Sequence, residues 1–306
     1  VIHLLLFFAT LASTWLAGAL SSGVELPSGM SGTAMAFSVL KAGLPYCASI
    51  MGILLTHEMG HYLVARSHRV DATLPYFLPL PGSPFGTLGA FIRIRSALPS
   101  RLAVLDIGAA GPVAGFLVAL PLLIWGYAHS EVVTSLPAPP ARPFSQSAVA
   151  LALDILKGGP SQPASTEMLV MGDNLISWLA TRWTHGPLPP GSDLRLGPVA
   201  FAAWIGMYVT ALNLIPIGQL DGGHVLYALF GRHAESLSRL FAWALFAMGL
   251  FAFWGWLVWW LLVRLLVKVQ HPPAASEAPL TPGRRALGIA AFAVLVLTFI
   301  PVPFYQ

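Results

Sequence analysis

The chain has 306 residues, of which 56% are hydrophobic and 9% charged, where a soluble domain carries about 25% charged residues. With a mean hydropathy of +0.74, that composition excludes a soluble globular domain and points to an all-α polytopic membrane protein. The net charge is +4, and no basic patch interleaved with aromatics accompanies it, which excludes nucleic acid as a partner and assigns the basic excess to membrane-flanking loops.

Six apolar segments reach the length of about 20 residues that a bilayer crossing needs. They lie near 1–20, 37–65, 102–128, 197–217, 237–263 and 286–303, in a single domain with a polar insert over 129–195. The first starts at Val1 without methionine, so the N-terminus is expected to be trimmed or incomplete. No basic region precedes it, so it reads as a first span rather than a signal peptide. The Gly- and Ser-rich stretch from Ser21 to Thr33 reads as a loop. Cys47, the single cysteine, lies in the second span; it excludes an intramolecular disulfide or a thiolate cluster and acts as a small hydrophobe.

The second span also carries ILLTHEMGHYLVA, Ile53 to Ala65, with His57, Glu58 and His61 inside an apolar run. Residues four apart on a helix sit one above the other, so the two imidazoles converge on one point. This is the H-E-x-x-H arrangement, in which the histidines hold zinc and the glutamate is general base toward the metal's water. Mutual satisfaction of three polar residues by packing is the weaker alternative, because ionisable groups in a membrane segment are costly. Catalytic zinc usually takes three protein ligands, so a third must come from elsewhere. Asp221 is the best candidate, and His224 is the other group nearby.

After the second span, Arg66 to Arg101 carries five arginines against Asp71, which marks a cytoplasmic loop. It ends in alternating Ile92, Arg93, Ile94 and Arg95, the period of a half-buried strand. The third span opens with DIGAAGPVAG. Gly111 and Gly115 let that helix approach the histidine-bearing one closely, and Asp106, near the span end, reaches the interface. The insert holds proline clusters at Pro137, Pro139, Pro140 and Pro143 and at Pro187, Pro189 and Pro190, with short helices expected over Val149 to Lys157 and Glu167 to Trp183.

The fourth span closes in NLIPIGQLDGGH, Asn213 to His224, where Pro216 and Gly218 break the helix and let Asp221 turn inward. Trp254, Trp256, Trp259 and Trp260 in the fifth span read as interfacial anchors. The loop beyond it has Arg264, Lys268, Arg284 and Arg285 against Glu277. Alternation puts that loop opposite the first arginine-rich one, so the charge rule leaves the orientation open.

Asn213, Pro216, Leu220, Asp221 and Gly222 match N-x-x-P-x-x-x-L-D-G position by position. Together with H-E-x-x-H in an earlier span, this resembles the site-2 protease family of intramembrane zinc metalloproteases. The G-P-x-A-G run and the F-G-T-x-G-A loop, Phe85 to Ala90, are similar to that family too, in a compact form without a PDZ domain. The resemblance implies one zinc ion (Zn2+) held by His57, His61 and Asp221 rather than His224, with Glu58 as base. It also implies a small membrane-associated β segment between the second and third spans, whose edge at Ile92 and Ile94 pairs with an extended substrate, and Asn213 bonding the substrate backbone. The implied role is regulated cleavage of transmembrane segments of membrane-anchored proteins, in a bacterial plasma membrane or, as for related proteins, a plastid. The alternatives are a metal transporter, which needs several exchangeable ligand sets, and a non-proteolytic zinc scaffold, which has no use for Glu58.

Overall fold

A computed structural model of the chain describes residues 1–22, 32–134, 147–149, 170–267, 274–276 and 278–305. The first proline cluster, most of the short helix expected over 149–157, Lys268 and Glu277 lie outside those residues.

In lipid a backbone has no water to pair with, so an apolar chain satisfies its N–H and C=O groups within helices. Helices α1 (Ile2–Ser21), α2 (Gly32–Ser67) and α3 (Arg101–Ala128) are each long and apolar enough to cross a membrane. Next come α4 (Leu175–Thr184), α5 (Pro198–Leu214) and α6 (Asp221–Phe230). Then follow α7 (Ala234–Phe251), α8 (Gly255–Leu262) and α9 (Pro282–Thr298). The run Asp221–Phe251, through α6 and α7, is a fourth candidate span. Helix α5, where the fourth span was expected, has 17 residues.

The apolar run near 237–263 is not one rod. It reverses at 252–254 into α7 and α8, and a Cβ on Gly249 would stand 2.6 Å from Cγ of Leu257. The missing side chain lets the two arms of this helical hairpin close on each other.

Between α2 and α3 lies the expected β segment, an antiparallel hairpin of β1 (Tyr76–Pro79) and β2 (Thr87–Phe91) with Tyr76 opposite Phe91. The ladder continues past β2. Thr73 N–H donates to Arg93 O at 3.0 Å, Arg95 N–H donates to Asp71 O at 2.8 Å, and Ala72 bridges Ile94. Alternate residues of an antiparallel strand face its partner, so Arg93 and Arg95 bond inward and the backbone groups of Ile92 and Ile94 point to the opposite edge. The hairpin is tied to the helices through Ser13 Oγ, which donates to Gly86 O at 2.6 Å, and Tyr46 OH, which donates to Phe85 O at 2.8 Å.

Two further short sheets close the ends of the insert and of the chain. Strand β3 (Glu131–Val133) pairs with β5 (Asp193–Arg195), and β4 (Val170–Met171) pairs with β6 (Phe304–Tyr305). Asp106 sits where the sequence put it, near a helix end. It accepts a forked pair of bonds from Arg284 Nε and Nη2 at 2.8–3.1 Å and lies 2.9 Å from His68 Nε2. These contacts staple α2, α3 and α9 together.

Candidate metal centre

Four segments build the site. Helix α2 brings His57, Glu58 and His61 on consecutive turns, all three buried. The chain leaves α5 at Leu214, passes Pro216, turns at Gly218 with φ +55° and restarts as α6 at Asp221. Glycine reaches that φ without the steric cost of a Cβ. A Cβ on Gly222 would run into the carbonyl of Leu214, so the run of two glycines lets the new helix start hard against the old one's end. Asp221 thereby occupies the first turn of α6, where exposed N–H groups favour a negative charge. At the other end of α6, Arg101 Nε and Nη2 donate to the last carbonyls, Ala228 O and Leu229 O, and this holds the helix in register with α3.

The three groups meet. His57 Nε2 is 3.2 Å from His61 Nε2, His61 Nε2 is 3.3 Å from Asp221 Oδ2, and His57 Nε2 is 3.4 Å from Asp221 Oδ2. Ligands at about 2.0–2.1 Å on the corners of a tetrahedron stand about 3.3 Å apart, so the triangle matches one face of a tetrahedral site. Among the described residues this is the one group of three such side chains whose ligand atoms lie that close. Its protonation suits the same purpose. His61 Nδ1 is 2.7 Å from Ile107 O, which can only accept, so Nδ1 carries the proton and Nε2 is left with its lone pair.

Helix α3 is shaped around the histidines. A Cβ on Gly111 would fall inside the His61 ring, and one on Gly115 would meet His57 Nδ1 at 3.1 Å. The expected close approach is therefore made to the imidazoles themselves. Gly108 stands against His224, where a Cβ would be 2.6 Å from His224 Cβ.

A cavity of about 190 Å³ opens beside the triangle, lined by Glu58, Ile92, Ile94, Asn213, Gln219 and His224 among others. Of the three groups, Asp221 is the most accessible, with 18% of its side chain exposed against 4% and 7% for His57 and His61. Asn213 reaches in from α5, its Nδ2 3.4 Å from His57 Nε2. The free edge of the hairpin strand, at Ile92 and Ile94, forms one wall. Ile92 and Ile94 are half-buried and pack against the apolar cluster of Ala65, Val70 and Ala103.

All seven residues singled out in the sequence thus line one space. His224 lies at its border, three residues beyond Asp221 and on the same side of α6. Sequence reasoning missed two contributors: the Ile107 carbonyl and the Arg101 cap. The first acts through the backbone, which leaves no mark on residue type. The Arg101 cap joins residues more than a hundred positions apart.

A family model described as Peptidase family M50 matches residues 45–255, a stretch that holds every residue of this site. The probable zinc metalloprotease EGY1, chloroplastic, of Oryza sativa subsp. japonica is 28% identical over 265 residues, covering 86% of this chain and 41% of that protein. The probable zinc metalloprotease EGY2, chloroplastic, of Arabidopsis thaliana is 29% identical over 271 residues, covering 87% of this chain and 43% of that protein. The probable zinc metallopeptidase EGY3, chloroplastic, of Arabidopsis thaliana is 26% identical over 271 residues, with 84% and 43% covered. The chain spans about two fifths of the length of the curated relatives it matches. No solved structure matches it.

Proposed function

Because the chain belongs to peptidase family M50, the site-2 protease family, we propose that it is a zinc-dependent endopeptidase that cuts transmembrane segments of membrane-anchored proteins. The observation that carries the reading is the equilateral arrangement of His57, His61 and Asp221, with a buried glutamate adjoining it. Zinc held there supplies an acidified water and an electrophile for a peptide carbonyl.

The chain's own groups do the rest. Glu58 stands next to His57 in a cavity walled by protein, where it takes a proton from the attacking water and delivers it to the leaving amine. The Ile107 carbonyl keeps His61 in the tautomer that leaves Nε2 free. The edge groups of Ile92 and Ile94 offer a ladder to an extended peptide, which requires the substrate helix to unwind locally. Asn213 Nδ2 donates to the substrate backbone. The domain unit is the whole described bundle.

That one such group of side chains is found among the described residues supports hydrolysis over metal transit, which needs a succession of sites. We place the protein in a bilayer as an integral membrane protein; a bacterial plasma membrane and a chloroplast membrane, where the relatives' names place them, are told apart by immunolocalisation in the source cell. For the activity, the test is Glu58→Gln in purified, reconstituted protein. Zinc content by elemental analysis stays at the parent's level while cleavage of a membrane-anchored reporter is lost. Full turnover by the variant sinks the proposal, and so does a parent protein that binds no zinc.

A further inference from the structure

The short helix α4 presents an apolar row that nothing in the described chain covers. It opens with a capping box in which the side chains of Asn174 and Ser177 each accept from the other's backbone N–H, so its position in the chain is specified locally. At about 100° per residue, Ser177, Ala180 and Thr184 fall on one side. Leu175, Trp178, Leu179, Arg182 and Trp183 fall within an arc of about 140° on the other. Ser177 and Ala180 are buried, whereas Leu175, Trp178, Leu179 and Trp183 expose 46%, 48%, 44% and 76% of their surface. The Arg182 guanidinium lies 5.7 Å from the centre of the Trp178 ring. An apolar face this contiguous on a polar insert marks a contact surface.

The helix's position says what it contacts. At its C-cap, His185 donates through Nε2 to the carbonyl of Tyr127 at 2.7 Å, in the last turn of the candidate span α3. Trp125 in the same turn is 53% exposed and stacks on His129 with ring centres 4.3 Å apart. A Cβ on Gly126 would meet the backbone of Ala200 at the start of α5. Helix α4 therefore lies level with the ends of two apolar helices. On α3 itself, Leu117 and Trp125 are exposed as well. Tryptophan and arginine among aliphatic side chains are what a helix lying in a bilayer interface carries, with rings at the headgroup level and a guanidinium for lipid phosphates. This height is about 24 Å along α3 from Gly111, away from the metal centre.

We infer that α4 lies flat in the interface of the leaflet opposite the metal centre. Leu175, Trp178, Leu179 and Trp183 dip into the boundary between headgroups and acyl chains, and Arg182 reaches the phosphates. The occupant of the row is lipid. The inference does not depend on the hydrolytic reading.

The test uses the full chain carrying Trp183→Cys, in which the native Cys47 is buried and unreactive. A nitrobenzoxadiazole label is attached, and the protein is reconstituted into phosphatidylcholine vesicles. Quenching is compared for nitroxides on the upper acyl chain, nitroxides at mid-chain, and aqueous iodide. The expected result is blue-shifted emission, with upper-chain quenching roughly threefold stronger than either alternative and independent of protein density. Dominant iodide quenching puts the face in water and overturns the inference. Maximal mid-chain quenching overturns it too, since the helix would then not be interfacial. Shielding that vanishes on dilution of protein in lipid assigns the face to a second copy, and shielding from iodide and nitroxides alike assigns it to protein; either refutes the lipid occupant. Leu179→Cys is labelled in parallel. Both sites lie on one face, so disagreement between them rules out the flat orientation.

Discussion

Gly111→Ala probes the seam between α2 and α3 at the point where it shapes the metal centre. A Cβ there would stand 2.6 Å from Cε1 of His61 and nearer still to Nε2 and Cδ2. Carbon–carbon contact settles at about 3.5 Å or beyond, so the ring or the helix must move by about 1 Å. Metal–ligand distances tolerate about 0.2 Å. The ring cannot step aside cheaply, because its Nδ1–H is held at 2.7 Å by Ile107 O, on the same helix as the intruding methyl. Metal affinity is expected to fall about 100-fold, and the overpacked seam to cost about 1–3 kcal/mol of stability. Gly52→Ala is the matched control. Nothing lies within 4 Å of a Cβ at that position, so the helix gains about 0.5–1 kcal/mol and keeps its metal. The assay is zinc competition against a chromophoric chelator on detergent-purified protein, with thermal unfolding followed by circular dichroism. If Gly111→Ala binds zinc as tightly as the parent, the contact does not position His61 and the argument from close approach fails.

Zinc at about 100 times its dissociation constant should stabilise the parent by about 2.7 kcal/mol, and Asp221→Ala should lose most of that gain; an undiminished zinc-dependent rise in unfolding temperature removes Asp221 from the ligand set. Arg284→Ala should destabilise the bundle by about 1–2 kcal/mol, low in the range for charged hydrogen bonds because 36% of the Arg284 side chain is exposed. Arg284→Lys should restore little, since an ammonium cannot reproduce the forked bonds to Asp106, and a denaturant titration of the pair with Asp106→Asn reads their coupling. Ile92→Pro removes the N–H that offers the first rung of the edge ladder. Cleavage should drop about tenfold or more with zinc retained, and unaltered turnover by a folded variant would count against strand docking.

The part of the site that was legible beforehand is the local part. His57 and His61 are one turn apart on one helix, so their convergence follows from the period of the helix alone. The break at Pro216 and Gly218 was legible because those two residues punctuate a backbone wherever they occur. The pairing of Asp221 with the histidines was legible only through a signature, since no spacing rule links positions more than 150 residues apart. The run near 237–263 misled because a uniformly apolar stretch has no periodicity to betray a reversal, and what permits the turn is the fit of Gly249 against Leu257. Asp106 was placed correctly at a helix end, but its partners Arg284 and His68 come from other helices and could not be named from the chain.

Composition and short-range pattern alone settled the solvent, the helical class and the convergence of two imidazoles beside a carboxylate, because hydropathy and helical spacing act between neighbours. Tertiary packing decided the distances: which glycines take the imidazoles, which carbonyl fixes a tautomer, and which strand edge borders the cavity. Those depend on how separate helices cross and on the backbone's register, and side-chain identity along one segment constrains neither.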